Sequence, residues 1–188
     1  VKETKLSKQQ KHIVKESLRS FELSGVALDG VKSSRFKEIK EQLSILSNIF
    51  SKNVLQATNS WKKTVSESDL KGFGENELSK VRVGENYEIN LQIPVYIDLM
   101  TYADNRELRE EVYKAYISRA SDVGVTSKEF DNRKIMDEIL ELRSELSQLI
   151  GFSNYAEYSV ESKMVDSPDA GVDFLEKLID LSLPQAKS

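Results

Sequence analysis

The side chains able to do chemistry are few. There is no cysteine, and His12 is the single histidine in 188 residues. A zinc centre that activates water takes at least two imidazole or thiolate ligands and leaves one position open. This chain alone is therefore expected to carry no catalytic, cofactor-binding or metal-binding residue. A serine triad needs a base histidine oriented by an acid, and nothing beside His12, which stands among Gln9, Gln10 and Lys11, proposes one. His12 reads as an exposed surface residue. Glu138, Glu141 and Glu145 share one helix face by their spacing. A carboxylate di-metal site would want that face plus a Glu-x-x-His on facing helices, but Gln9 stands three residues before His12. The three glutamates read as a solvated face, with Lys134 and Arg143 as charge partners.

Three further groups offer binding and not bond-breaking. Gly72-Phe73-Gly74 lacks the third glycine and the preceding strand of a dinucleotide loop, so it reads as a turn that packs Phe73 against a helix. Asp104, Arg106, Arg109 and Glu110 crowd a helix start; structural pairing of Arg109 with Asp104 or with neighbours of Glu110 is the plain expectation, and a clamp for a substrate carboxylate the sharper one. Tyr96, Tyr102, Tyr113, Tyr116, Tyr155 and Tyr158 recur in the second half. Buried tyrosines hydrogen-bonding between helices explain them, with the aromatic wall of a peptide cleft as the alternative.

The elements that would position these residues are mostly helical. Ile13, Val14, Leu18 and Phe21 mark one face of a helix from Ser7 to about Leu23, which Gly25 ends in a left-handed turn. Asp29-Gly30 signals a turn. Phe36, Ile39, Leu43, Leu46, Phe50, Val54, Ala57, Trp61 and Val65 then step by three or four residues, which predicts one helix of about 30 residues capped by Ser33 or Ser34. After Ser66 the pattern breaks into a short helix over 75–80 and a hairpin, Val81–Val83 against Tyr87–Leu91 across Gly84-Glu85-Asn86. Pro94 opens a helix. Asp104 to Glu107 has the spacing of a capping box, opening a helix to about Ala120 that ends near Gly124. Asp131 caps a helix through Ile135, Ile139, Leu142, Leu146 and Leu149 that stops at Gly151; Asn154 starts a short one, and Ser167-Pro168 starts the last. The fold class is mainly α: about seven helices, long antiparallel ones among them, and one small β-hairpin. The organisation reads as one helical fragment over 1–188, with long helices in 1–65, an irregular segment with the hairpin in 66–93, and helices again in 94–188.

Composition narrows the classes. A formal charge of −4 gives no net pull towards nucleic acid, and the basic comb Lys2, Lys5, Lys8, Lys11 and Lys15 reads as a solvated helix face. No apolar run approaches the roughly 20 residues that span a bilayer. The lack of cysteine fits a reducing compartment, and a cytoplasmic location is expected. The chain lacks a starting Met and reads as a piece of a longer one.

Several long segments are similar to one family. FELSG at 21–25, RFKEIKEQLSILSNIFSKNVLQAT at 35–58, IPVYIDLMTYADN at 93–105, TYADNRELREEVYKAYISRASDVG at 101–124, DNRKIMDEILELRSELSQLIGFSNYAEYS at 131–159, KMVDSP at 163–168 and PQAK at 184–187 resemble the N-terminal helical region of the oligopeptidase A and thimet oligopeptidase-like zinc metallopeptidases. The resemblance implies a two-lobed, largely helical endopeptidase for short peptides. It also implies that zinc is held by a His-Glu-x-x-His helix and a further glutamate of the C-terminal lobe, a motif this chain lacks. The implied role of the present segment is to narrow access to the channel, its implied partners being oligopeptide substrates and the C-terminal catalytic lobe. A free-standing helical interaction module, dimerising through the long second helix, is the rival reading.

Overall fold

The computed structural model describes residues 6–124 and 128–187. Among them lie eight α-helices and one three-stranded sheet: α1 (Lys8–Leu23), α2 (Gly30–Ser60), β1 (Lys62–Val65), α3 (Glu75–Val81), β2 (Arg82–Val83), β3 (Asn86–Asn90), α4 (Ile93–Tyr102), α5 (Arg106–Ile117), α6 (Arg133–Leu149), α7 (Tyr155–Val160) and α8 (Pro168–Lys187). Lys2 and Lys5 of the basic comb lie outside the described residues; Lys8, Lys11 and Lys15 are exposed along α1.

The chain divides into two compact units, one of residues Val1–Ser44 and Ile139–Ser188, the other of Ile45–Glu138, so the boundary falls inside both α2 and α6. In the first unit α1 opens with a true capping box: Ser7 Oγ accepts from Gln10 N–H at 3.2 Å, and the Gln10 side chain accepts from Ser7 N–H at 2.9 Å. Beyond α1, Gly25 takes a left-handed φ of 78°, as its position predicts. The core of this unit is Phe36, Ile39 and Leu146, with Leu43, Leu142, Leu149 and Tyr158 packed around it. Arg35 of α2 grips Glu145 of α6 with two hydrogen bonds of 2.6 Å.

The second unit is built on the sheet, whose order is β1-β3-β2 with both pairings antiparallel. Lys62 pairs with Asn90 and Val65 with Tyr87; Arg82 pairs with Tyr87 and Val83 with Asn86. Its inward face and α3, α4 and α5 enclose a core that includes Ile89, Leu91, Leu99 and Val112, all fully buried. Here Asn132, the residue just before α6, reaches α2 through two hydrogen bonds. Asn132, buried at 2% exposure, donates to the Phe50 carbonyl at 3.1 Å and accepts from Asn53 Nδ2 at 2.9 Å.

Most element types hold, the stretch 61–65 is strand and its approach where a helix is expected, and several boundaries shift for local reasons. The long helix has 31 residues but starts at Gly30 and stops at Ser60. Its first hydrogen bonds come from Ser33 N–H to the Asp29 carbonyl and Ser34 Oγ to the Gly30 carbonyl, which puts both serines inside the helix and not at its cap. Trp61 and Val65 belong to the sheet strand and its approach, so the hairpin has a third strand. A spacing of four fits a period of 3.6 and a period of 2 alike, and burial along 61–65 alternates as a strand does. The cap of α5 is Asn105, whose Oδ1 accepts from Leu108 N–H at 3.1 Å; Asp104 is held outside by its N–H bond to the Lys71 carbonyl at 2.8 Å. That helix stops at Ile117 because Ala120 turns to a φ of 53° and offers its carbonyl to Asn132 N–H. Asp131 does satisfy an early donor, accepting from Arg133 N–H at 3.0 Å, although α6 begins two residues later.

Candidate functional site

In the first unit, α1, the first half of α2 and α7 enclose a cleft of about 500 Å³. One lining residue, Arg19 of α1, is ion-paired across the chain: its Nε and Nη2 lie 2.9 and 2.6 Å from Glu161 Oε1, just beyond α7. The same guanidinium lies 3.8 Å from Glu16. The floor is apolar, with the Phe36 ring, and the Tyr158 hydroxyl donates to the Leu23 carbonyl at 3.4 Å. Burial pushes the Tyr158 phenol up from its ordinary value, which keeps it neutral and a donor. Four serines and Lys40 complete the lining; among the described residues Lys40 has no carboxylate partner. Hydroxyls and one uncompensated ammonium can hold a polar ligand. The lining includes no imidazole or thiol.

The residues singled out in sequence scatter. His12 is exposed on α1, in a shallow groove with Glu16 and Phe21. Glu138 and Glu141 are exposed, whereas Glu145 is partly covered. The partners expected for that glutamate face are wrong in one respect: Glu145 is held by Arg35 from α2, and Arg143 lies over the Tyr155 ring at 4.9 Å. Phe73 does pack against the core of the second unit, as its turn predicts. Arg109 pairs with neither Asp104 nor the neighbours of Glu110; it donates to the Ala103 carbonyl and so closes the end of α4. Glu110 bonds Lys114 at 2.6 Å, and Asp104 stands 3.8 Å from Lys71.

None of the six tyrosines is fully buried, so hydrogen bonding between helices explains only Tyr158. Tyr96 and Tyr116 instead stack at 3.8 Å with planes 13° apart, and the Arg119 guanidinium caps Tyr116 at 3.7 Å. Arg119 also donates to Thr58 Oγ1 at 2.9 Å. Two tyrosines, Tyr155 and Tyr158, do line the cleft. Arg19, Lys40 and Glu161 carried no signal in the sequence, because Arg19 and Glu161 are 142 positions apart.

One acid-sensitive contact lies beside this cleft. The two hydrogen bonds from Arg35 hold the Glu145 carboxyl below its ordinary value. A depressed folded value means that its contribution is full above the ordinary carboxylate range, about 4.3, and is lost as pH falls through the folded value. The stability difference between the parent chain and Glu145→Gln, read by urea unfolding, should therefore be constant near neutrality and shrink below about pH 4. A difference that does not change with pH would show that the charge contributes nothing. Glu38, 2.8 Å from Arg35, stays in place in both proteins.

The family resemblance brings zinc with it, and these residues do not fit that ion. One histidine and no cysteine are present, and no group of three or more His, Cys, Asp or Glu among the described residues converges as ligands would. Nor is any helix among the described residues long and apolar enough to cross a membrane.

Comparison with known proteins gives a consistent picture. Residues 99–188, from within α4 through α8, match the model of peptidase family M3. The chain is 45% identical to oligopeptidase A of Escherichia coli (strain K12) over 97% of its own length and 28% of that protein's. It is 43% identical to oligopeptidase A of Haemophilus influenzae over 95% of its length and 27% of the relative's. Against an organellar oligopeptidase A of Arabidopsis thaliana the identity is 37%, over 92% and 23%. The chain thus spans about a quarter of the length of these relatives. With its resemblance running along nearly its whole length, the chain is similar to the oligopeptidase A-like members of peptidase family M3.

Proposed function

We propose that the chain is a non-catalytic part of an oligopeptidase A-like zinc metalloendopeptidase, from the N-terminal lobe, and that it restricts which peptides reach the catalytic lobe. The observation that carries this reading is the 45% identity to an oligopeptidase A along 97% of a chain that has one histidine. The zinc ligands and the general base of such an enzyme would have to come from residues outside these 188. What this segment can add is shape. A 31-residue helix tied by Arg35 to Glu145 of α6 and by Phe50 to the buried Asn132 amide supplies the stiffness needed to exclude folded proteins and pass extended peptides. The cytoplasm is the proposed compartment, in keeping with the lack of cysteine and with a relative named as a probable cytosolic oligopeptidase A.

The test is a peptidase assay on a series of peptides of increasing length. The chain alone should show no turnover with or without added zinc. The complete protein should cleave short peptides, with kcat/KM falling sharply for long or folded ones. Zinc-dependent turnover by the isolated chain would overturn the reading. So would a complete protein indifferent to substrate length.

A further inference from the structure

The last helix is exposed in a way that its sequence does not suit. Every residue of α8 from 172 to 183 is exposed, and none of its residues is buried. Yet Val172, Phe174, Leu175, Leu178, Ile179, Leu181 and Leu183 are all large and apolar, each at least 44% exposed. Most helical stability in proteins comes from packing an apolar face, and each such side chain gains about 1.5–3 kcal/mol on full burial. Plotted at about 100° per residue, these seven fall in one arc of roughly 200°, from Leu181 round to Leu183. Asp169, Asp173, Glu176, Lys177 and Asp180 fill the remainder. Gly171 and Ser182 lie in the middle of the apolar arc, where small side chains let another element approach closely.

The width of that arc identifies the occupant. A helix lying on one surface needs a stripe of about 100°, and a two-helix seam a narrower one. A second copy of α8 would leave about half of this arc wet. An arc of twice the usual width fits a groove between several elements of a large partner. The relatives are more than three times the length of this chain, and α8 lies within the part that matches the family model. We infer that α8 is the helix by which this chain docks into the rest of the peptidase, its apolar arc inserted between elements of the remaining polypeptide. The inference rests on the proposed reading that a longer oligopeptidase A-like enzyme contains this chain.

The test mixes the 188-residue chain with the part of the Escherichia coli oligopeptidase A that follows its matched segment, and reads binding together with hydrogen exchange. The expected result is association with strong slowing of exchange across 168–187. Leu175→Glu and Ile179→Glu should each weaken association by about thirtyfold, whereas Asp180→Asn on the polar arc should not. Both apolar variants should leave the circular dichroism of the isolated chain unchanged at neutral pH, because the replaced side chains are exposed there. Association that leaves α8 exchanging freely would overturn the docking inference and leave the family reading intact. No association at all would likewise overturn the docking inference and leave the family reading, which rests on sequence identity, intact. Protection of α8 in the chain alone that rises with its concentration and vanishes in Leu175→Glu would assign the arc to a second copy instead.

Discussion

Leu99→Ala lowers the unfolding free energy of the second unit by about 3 kcal/mol, read as a shift in the urea midpoint. Leu99 has no exposed surface and lies among Ile89, Leu91, Val95 and Val112. Truncation there removes transfer energy and leaves a cavity, because the sheet on one side and α5 on the other are tied by backbone hydrogen bonds and cannot close in. The matched control is Leu175→Ala on α8. The chemistry removed is the same, but Leu175 is 58% exposed, so its loss in the isolated chain should stay within about 0.5 kcal/mol. Equal effects of the two substitutions would mean that the assignment of core and uncovered face is wrong. In the complete enzyme the control should itself become costly, since docking would bury it.

That contrast bears on what the sequence could reveal. Helices announced themselves wherever the signal was local. The cap at Ser7, the left-handed Gly25, the Asn154 cap, Ser167 ahead of Pro168 and the hairpin around Gly84 all depend on residues within four positions of one another. The third strand did not, because β1 exists only through pairing with β3, some 25 positions on. Trp61 and Val65 satisfied a helical period and a strand period equally, and long-range pairing decided between them. Asn105 displaced Asp104 as cap for a similar reason. The Asp104 amide is taken by Lys71, 33 positions earlier, and no local rule contains that bond.

The cleft was least legible of all. Its ion pair joins Arg19 to Glu161, and its floor comes from α2, so its members share no spacing. The aromatic column of Tyr96 and Tyr116 was visible only as a frequency of tyrosines, and its guanidinium cap was not visible at all. Burial, too, was readable in one direction only. The apolar faces of α1 and α8 are as regular as that of α2, yet Ile13, Leu18 and Phe21 stay exposed alongside Leu175 and Ile179. Periodicity says that a face wants cover, not which polypeptide supplies it. For a chain matching about a quarter of its relatives' length, uncovered faces are where the missing interactions must be sought.

Gly72→Ala should destabilise the second unit by about 3 kcal/mol or more. Gly72 has a φ of 101°, outside what an L side chain adopts without strain, and an added Cβ would run into the Tyr102 carbonyl oxygen. The obstacle is backbone, so no rotamer change relieves it. Moving Tyr102 would pull on the Asp104 amide bonded to Lys71 and on the Arg109 guanidinium that closes α4 at Ala103, so the strain should spread into the start of α5. Gly84→Ala separates the two causes. Gly84 also has a positive φ, 63°, but nothing lies within 4 Å of where its Cβ would be. That variant should cost only the conformational term, about 1 kcal/mol. A urea midpoint for Gly72→Ala no lower than that for Gly84→Ala would show that the close approach of the 71–74 turn to α4 does not hold in solution. A larger loss, accompanied by faster amide exchange at Leu108 beside the Asn105 cap, would locate the strain at the junction of α4 and α5.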